Sequence, residues 1–493
     1  MRQSNFFIKH LISINKSINS LLEKNLNKLN SNNLINIARS NKIFLTIVAL
    51  IILSLSYLSL PNIFKPAEIS NEIKNELQKK FNLDLEFSQN LKYNFFPRPH
   101  FISNESSVFL DGSKISDIKN IKIYVSLKNL FSLENIKIIN IVLDEASFNF
   151  DKQNYNFFTE LLDNNFENSN LEIRNSKIFF RNIEKEVLFI NKVIKMKYFY
   201  DPKELKNLVY SESEIFNIPY NLKIFDNKNE KILFSKFNLD FINLQIKNEH
   251  NYKDNIKIGS GNLIFNKLKS IFNYKLHQDL FEFYFFENSK FDYKIRVNFK
   301  PFYSNVSGDL DKLNLSYLFN SSSIIVQLLK TEIFNNKNIN FGLNLNANKI
   351  LNYNDFKNII LNSKIEEGLI DIDNTIFEWN DYANFKLFDT LIYVKEGELI
   401  LDASSKIDIN KINKVYQFLL TPKNLRNKIK KVNLNFTYNF DKKVVSFEDI
   451  KIDGKFDMNV NKLMKNISIS NNNLQNKIYF KNLLNEVIKV YAG

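Results

Sequence analysis

The chain has 493 residues, of which 44% are hydrophobic and 14% aromatic, so it contains enough apolar material for a large core. Its formal net charge of +14 suggests nucleic-acid binding, but the lysines are scattered and no nucleic-acid-binding module is recognisable, so no nucleic-acid partner is expected. The absence of cysteine excludes disulfides, thiol nucleophiles and cysteine-ligated metals.

Residues 1–42 form a basic arm with a single acidic residue, Glu23. The positive-inside rule therefore predicts that this arm is cytoplasmic. Apolar residues spaced among the polar ones fit an amphipathic helix on the inner leaflet, and they fit a loosely helical cytoplasmic tail equally well. The sequence leaves these two alternatives open.

An uncharged stretch lies between Lys42 and Lys65, and it is long enough to cross the hydrocarbon core of a bilayer once. We predict a transmembrane helix over residues 43–64, which gives a single-pass protein with a large extracytoplasmic body. A cleaved signal peptide is the rival interpretation. The long segment before the apolar stretch and the lack of an A-x-A pattern near Pro61 favour an uncleaved anchor.

Residues 65–162 are predicted to begin with a helix and continue as strands. Pro66 suits an early helical position, and the apolar residues Ile69, Ile73, Leu77 and Phe81 are spaced four apart on one face. From Leu83 onward the apolar period changes to two, which is typical of strands with one wet and one apolar face.

The alternation continues through residues 163–470 in unusually long runs. A closed β-sandwich would explain it, but the lack of a Pro/Gly/Ser-rich linker favours one extended sheet. We expect turns at Gly308-Asp309 and Gly259-Ser260-Gly261. The candidate lining of the apolar face is Phe291, Tyr293, Ile295, Val297, Phe299, Ile339, Phe341, Leu343, Leu345, Val432, Leu434, Phe436 and Tyr438.

Two helices are predicted in the C-terminal part of the chain. One interrupts the strands near residues 410–430, where Ile412, Val415, Tyr416 and Leu419 share a face. The other is an amphipathic helix over residues 471–493.

The segment from Leu60 to Leu162 resembles the N-terminal region of the AsmA family of envelope-biogenesis proteins. The shared order of parts is the span, the first helix, the turn Phe95-Phe96-Pro97-Arg98-Pro99, and then strands closing at Asn156-Phe157. The block from Val445 to Gly454 also resembles late AsmA-type sequence. Asn82 follows the first helix where the family usually has glycine, and asparagine tolerates the left-handed conformation as well.

The AsmA resemblance implies a mainly β fold with a few helices and one N-terminal transmembrane helix. Its sheet would be long, twisted, curved and antiparallel, and it would form an open groove lined by apolar side chains. The resemblance also implies a bacterial inner-membrane protein with a cytoplasmic N terminus and a periplasmic bulk. Phospholipid and the membrane are the expected partners, with an outer-membrane or periplasmic protein at the far end.

No constellation for catalysis, a cofactor or a metal is recognisable in the sequence. The histidines His10, His100, His250 and His277 lie far apart, and Asp371 with Asp373 alternates as the wet face of a strand. We therefore expect a protein that is not an enzyme. The AsmA resemblance implies that it acts in phospholipid transport and outer-membrane biogenesis. The alternative is a scaffold or regulator of outer-membrane protein assembly that conducts no lipid.

Overall fold

A computed structural model describes residues 42–492, except 129, 152–153, 155–156, 165, 182–183, 204–205, 228–229, 252–256, 278–279, 288–289, 301–302, 316–319, 466–468 and 471–475. The predicted basic arm lies outside the described residues, apart from its last residue. The described part is mainly β, with 26 strands joined in one sheet and seven helices.

Two helices precede the sheet. Helix α1 covers Lys42–Ser59 and is extended by a 3-10 turn over Leu60–Ile63. Helix α2 covers Pro66–Phe81, begins with proline in its first turn, and buries the predicted face of Ile69, Ile73, Leu77 and Phe81. At its end Asn82 has φ 49°, the left-handed conformation expected of asparagine at this position. The prediction of this helix is confirmed.

The remaining helices are short, apart from the last. They are α3 Phe157–Glu160, α4 Ile324–Lys330, α5 Ile412–Leu419, α6 Met458–Lys465 and α7 Lys477–Ala492. Helix α5 buries Tyr416 and Leu419, two residues of the helical face predicted from the sequence. Helices α3, α4 and α6 were not predicted, because each is only one or two turns long and gives too few periodic positions.

Most strands exceed the usual five or six residues. In chain order they are β1 Asp84–Phe87, β2 Lys92–Asn94, β3 His100–Leu110, β4 Ser113–Val125, β5 Ile138–Phe150, β6 Asn170–Arg181, β7 Val187–Asp201, β8 Lys206–Ile215, β9 Ile218–Asn227, β10 Ile232–Leu239, β11 Leu244–Asn251, β12 Lys257–Phe265, β13 Leu268–His277, β14 Leu280–Glu287, β15 Lys290–Lys300, β16 Tyr303–Leu313, β17 Asn340–Ile350, β18 Tyr353–Glu366, β19 Leu369–Asp371, β20 Ile376–Trp379, β21 Ala383–Lys395, β22 Glu398–Ile409, β23 Lys431–Asn439, β24 Val444–Ile452, β25 Lys455–Phe456 and β26 Ile469–Ser470.

Most strands pair with their neighbours along the chain, and short strands at a few places pair with the next strand but one, as β1 does with β3 and β24 with β26. Among the described strands, β5 with β6 and β16 with β17 pair in parallel, whereas the other pairings are antiparallel. The prediction of an antiparallel sheet is therefore wrong at two places, and the sheet is mixed. A parallel neighbour requires the chain to return across one face of the sheet. Helix α3 lies in the first return and α4 in the second.

The first part of the sheet has a filled core. Helix α2 and the return that contains α3 pack on strands β1 to β8, and together they form one large buried cluster. Phe101, Ile121 and Phe148 in this cluster have no exposed surface. The hydroxyl of Tyr198 is satisfied inside it, because it donates to the carbonyl of Phe158 at 2.9 Å.

The sheet curves towards its apolar side, and α4 lies inside the curve. Ile324 and Leu328 of α4 pack with a cluster from β9 to β12, which includes Leu239 and Phe265. Val326, on another side of the same helix, is buried in a cluster from β18 to β22. Parts of the sheet that are many strands apart can share one two-turn helix only if the sheet bends around it.

An ion pair fixes α4 to the part of the sheet that carries the cluster from β18 to β22. Asp441 accepts hydrogen bonds from Lys330 Nζ at 2.7 Å and from the N–H of Leu399 at 2.9 Å. Burial by itself would raise the pKa of Asp441, but these hydrogen bonds outweigh burial and leave the pKa below its ordinary value. The ionised carboxylate therefore belongs to the folded state.

We predict that Asp441→Asn destabilises the fold near neutral pH and that acid removes the difference. The folded-state pKa of Asp441 is depressed, so its contribution is present above the unfolded pKa of about 3.9. It is lost as the pH falls through the lower folded-state value. Urea unfolding of both proteins at pH 7 and in acid measures this difference, and an equal gap at both pH values would contradict the prediction.

Candidate functional site

The strand register defines one largely apolar face on the sheet, in which Ser211 of β8 is a buried polar residue hydrogen-bonded to Ser213. Residues directly opposite each other on paired strands point to the same side. One such row of partners starts on β4 and runs strand by strand to β12: Ile121, Leu143, Ile173, Met196, Ser211, Leu222, Phe237, Ile246 and Leu263. We call the side of the sheet that carries this row the apolar face.

Burial changes along this single row. Ile121, Leu143 and Ile173 are at most 1% exposed, because α2 and the α3 return cover them. Leu222, Phe237 and Ile246 are only half-buried, although they lie in the middle of their strands. The apolar face is thus a sealed core at its beginning and is only half-buried over β9 to β12, where Phe237, Ile246 and Leu263 pack beside the cluster that α4 contacts.

The five predicted lining residues between Phe291 and Phe299 all lie on β15, but their side chains lie outside the described residues. The backbone register sets three of them opposite phenylalanines of β14. The pairs are Tyr293 with Phe285, Ile295 with Phe283 and Val297 with Phe281.

The predicted residues around β17 lie on the apolar face or just before its strand. Ile339 is half-buried and precedes β17. Phe341 packs against the cluster that contains α4, Leu343 packs beside β18, and Leu345 is buried opposite Leu361. The structure therefore places Phe341, Leu343 and Leu345 together on the apolar face. All three already contact other side chains of the protein.

The predicted residues of β23 are partly covered. Val432, Leu434, Phe436 and Tyr438 are half-buried and pack against a cluster that includes Val460 and Met464 of α6 and Leu483 of α7. The sequence analysis selected these residues because apolar and polar residues alternate most regularly there. In the structure, helices α6 and α7 pack beside this strand. It missed Leu222, Phe237, Ile246 and Leu263, which are half-buried to a similar degree and whose shorter runs break the strict alternation.

Two glycines expected in a turn lie inside strand β12. A side chain at Gly259 would collide with the ring of Tyr274, and one at Gly261 would collide with the ring of Phe272. The aromatic side chains of β13 thus lie over the glycines of β12 on the apolar face. The expected turn at Gly308-Asp309 is also wrong, because both residues lie within β16.

We predict that Gly261→Ala is clearly destabilising and that Gly342→Ala is much milder. The Cβ at 261 would lie 2.5 Å from the backbone carbonyl of Lys247, which cannot move without breaking the ladder. Overpacking of this kind costs about 1–3 kcal/mol. At Gly342 the nearest atom is the Asn305 side chain at 3.1 Å, which can shift. Thermal unfolding of the two variants tests the prediction, and equal melting temperatures would contradict it.

A small polar network lies within the apolar face. Asn248 Nδ2 donates to the hydroxyl of Tyr274 at 3.0 Å, and this hydroxyl lies 2.9 Å from His250 Nδ1. Burial, followed by the charge of Lys257, lowers the pKa of His250, and burial raises the pKa of Tyr274. Both groups are therefore neutral near neutral pH, and the network adds no charge to the face.

The remaining predicted polar groups are engaged structurally. His100 lies 2.7 Å from the carbonyl of Arg98, and Asp373 accepts two hydrogen bonds from Thr390. His10 lies outside the described residues, as does the side chain of His277. Within the described ranges no group of three or more His, Asp and Glu could hold a metal ion.

Helix α1 is the membrane-crossing candidate. Its window Leu45–Ile63 has a mean hydropathy of 1.9, and only 6% of it is buried inside the protein. A core helix of the same composition would be largely covered by other residues. The structure therefore contains one helix that is long and apolar enough to span a membrane.

Comparison with known proteins adds little to this picture. No family model matches the chain. Among curated proteins the chain is similar to protein Ycf2 of Physcomitrium patens, with 24% identity over 279 residues, which is 48% of this chain and 12% of Ycf2. The chain thus spans about an eighth of the length of that relative. Similarity of this extent shows no family, so the AsmA resemblance stays a prediction.

Proposed function

We propose that this protein is a membrane-anchored, non-catalytic lipid carrier of the AsmA type, whose curved sheet forms an apolar groove for phospholipid acyl chains. The observation that carries the proposal is the row from Ile121 to Leu263, which passes through successive strand pairings from a sealed core to half-buried apolar side chains. A protein that only needed a core would bury the second half of this row as completely as the first, whereas the contact with α4 leaves it half-buried.

The energetics of lipid transfer support an apolar groove. Each CH₂ group of an acyl chain that leaves water for an apolar surface gains about 0.8 kcal/mol. Leu222, Phe237, Ile246 and Leu263 each leave part of such a surface uncovered on four adjacent strands, and a curved sheet lets one chain contact several of them at once. Hydrogen bonds join Asn248, His250 and Tyr274 within the face, although the buried Oδ1 of Asn248 has no hydrogen-bond partner.

The anchor and the charge of the arm support the proposed location. Helix α1 would hold the start of the sheet at a bacterial inner membrane. The basic arm before Lys42 would keep the N terminus in the cytoplasm, which leaves the sheet in the periplasm. A lipid leaving that membrane would first meet the sealed part of the sheet and would reach the groove from β9 onward.

Lipid analysis of the purified full-length chain tests the proposal. The protein is extracted in a mild detergent and washed extensively, and native mass spectrometry then looks for bound phospholipid. We expect phospholipid to be retained and to exchange with fluorescent phospholipid supplied in vesicles. A chain that is folded by circular dichroism but neither retains nor takes up lipid would overturn the proposal. Cross-linking from the apolar face that traps a protein instead of lipid would favour the scaffold alternative.

A further inference from the structure

A cluster of exposed apolar side chains surrounds the C-terminal end of α1. The exposed fractions are 78% for Ile63, 81% for Phe96, 57% for Leu127, 64% for Phe131 and 38% for Phe95. Large apolar side chains this exposed, drawn from the 3-10 turn that extends α1 and from two loops beside it, mark an interaction surface. We call these five residues the anchor patch.

Hydrogen bonds hold the loops of the anchor patch against α1. The hydroxyl of Tyr57 in α1 donates to the carbonyl of Leu127 at 2.8 Å and accepts from the N–H of Leu130 at 3.4 Å. From the other side, the hydroxyl of Tyr93 donates to the carbonyl of Leu58 at 2.8 Å. Tyr93 is the next-to-last residue of β2, and the loop with Phe95 and Phe96 begins directly after this strand. The loop therefore starts beside the same turn of α1.

These contacts fix the position of the loops along the axis of α1, relative to its apolar window Leu45–Ile63. The window extends to Ile63, whereas Tyr57 is six residues earlier. At about 1.5 Å per helical residue this is on the order of 9 Å before the end of the window. Helical side chains also lean towards the N terminus, so the hydroxyl of Tyr57 lies no nearer to Ile63 than its own Cα does. The carbonyl of Leu127, at hydrogen-bond distance from that hydroxyl, is therefore level with the apolar window.

We infer that the anchor patch is a membrane-seating surface, which inserts the loops around Phe96 and Leu127 into the same bilayer that α1 crosses. The occupant is the lipid of that bilayer, because the patch is continuous with the exposed surface of the span. Exposed basic residues adjoin both loops, Arg98 beside the first and Lys128 beside the second, and they suit anionic headgroups. The sheet is then held at a fixed height and angle on the membrane, without a flexible linker.

The absence of cysteine makes a labelling test clean. Single-cysteine variants Phe96→Cys, Leu127→Cys and Phe131→Cys of the full chain are labelled with an environment-sensitive fluorophore and reconstituted into vesicles of phosphatidylethanolamine and phosphatidylglycerol. Met458→Cys is the matched control, because Met458 is 76% exposed at the start of α6, next to β24 and β25 at the other end of the strand order. We expect the three patch labels to show blue-shifted emission and loss of fluorescence with doxyl-labelled lipid, and protection from iodide, whereas the control is quenched only by iodide.

The outcomes separate this surface from the proposed lipid groove. Patch labels quenched by iodide as strongly as the label at Met458 would overturn the inference, whether or not the protein carries lipid. Photoactivatable phospholipid gives a second readout on the unmodified chain, with expected cross-links in residues 95–98 and 127–131. Cross-links confined to the sheet from β9 onward would support the groove and contradict the seating surface.

Discussion

Ile246→Asp is expected to remove most of the phospholipid bound by the purified chain. Ile246 lies in the half-buried part of the apolar face, between Phe237 and Leu263 in the cross-strand row. A carboxylate placed against an acyl chain costs about 3 kcal/mol, or roughly a hundredfold in affinity. Native mass spectrometry of the wild type and the variant gives the lipid-bound fraction directly.

Ile258→Asp is the matched control for this experiment. Ile258 is 49% exposed and pairs with Asn251 and Lys275, which places it on the opposite side of the sheet. The same change of side chain should leave the bound lipid unaltered there. Equal lipid loss in both variants would indicate a general effect on the sheet, and no loss in either would contradict lipid binding at the apolar face. Far-UV circular dichroism shows whether each variant keeps its strands.

Phe148→Ala is expected to lower the free energy of unfolding by about 3–5 kcal/mol, the usual range for removing a fully buried phenylalanine. Phe148 has no exposed surface, and its ring lies 5.3 Å from that of Phe158 and 6.2 Å from that of Phe157. These contacts hold the return that contains α3 on the sheet. Urea unfolding, followed by circular dichroism, measures the loss.

Phe456→Ala provides the comparison, because Phe456 is 54% exposed and its truncation should change stability little. The lipid bound per folded molecule should be unchanged by Phe148→Ala, since this residue lies in the sealed part of the apolar face. A large loss of lipid without a loss of stability would contradict the division of the face into a sealed and an accessible part.

Much of the local structure could be read from the chain. Helix α2 and its buried face were predictable from the spacing of Ile69, Ile73, Leu77 and Phe81. A helix of four turns repeats this pattern often enough to be unambiguous. Asn82 ends this helix in the left-handed conformation, as an asparagine can. The period of two likewise gave strands with one apolar side.

The glycines show why other predictions failed. Gly259 and Gly261 look like a turn in the sequence, yet each is covered by an aromatic ring from the next strand. This contact depends on residues more than ten positions away and on the register of β12 with β13. Gly308 is also a strand residue, and its neighbours on both sides are set by pairings with β15 and with the distant β17.

The sequence by itself determined that the chain is mainly β, that its strands are apolar on one side, and that one segment is apolar enough to cross a membrane. These properties depend only on neighbouring residues and on the period at which apolar residues recur. Only the tertiary structure decided which part of the apolar face is sealed, since that depends on where α2, α4 and the C-terminal helices pack. The two parallel pairings and the contact of Tyr57 with the loop at Leu127 were likewise decided there, because they join residues far apart in the chain.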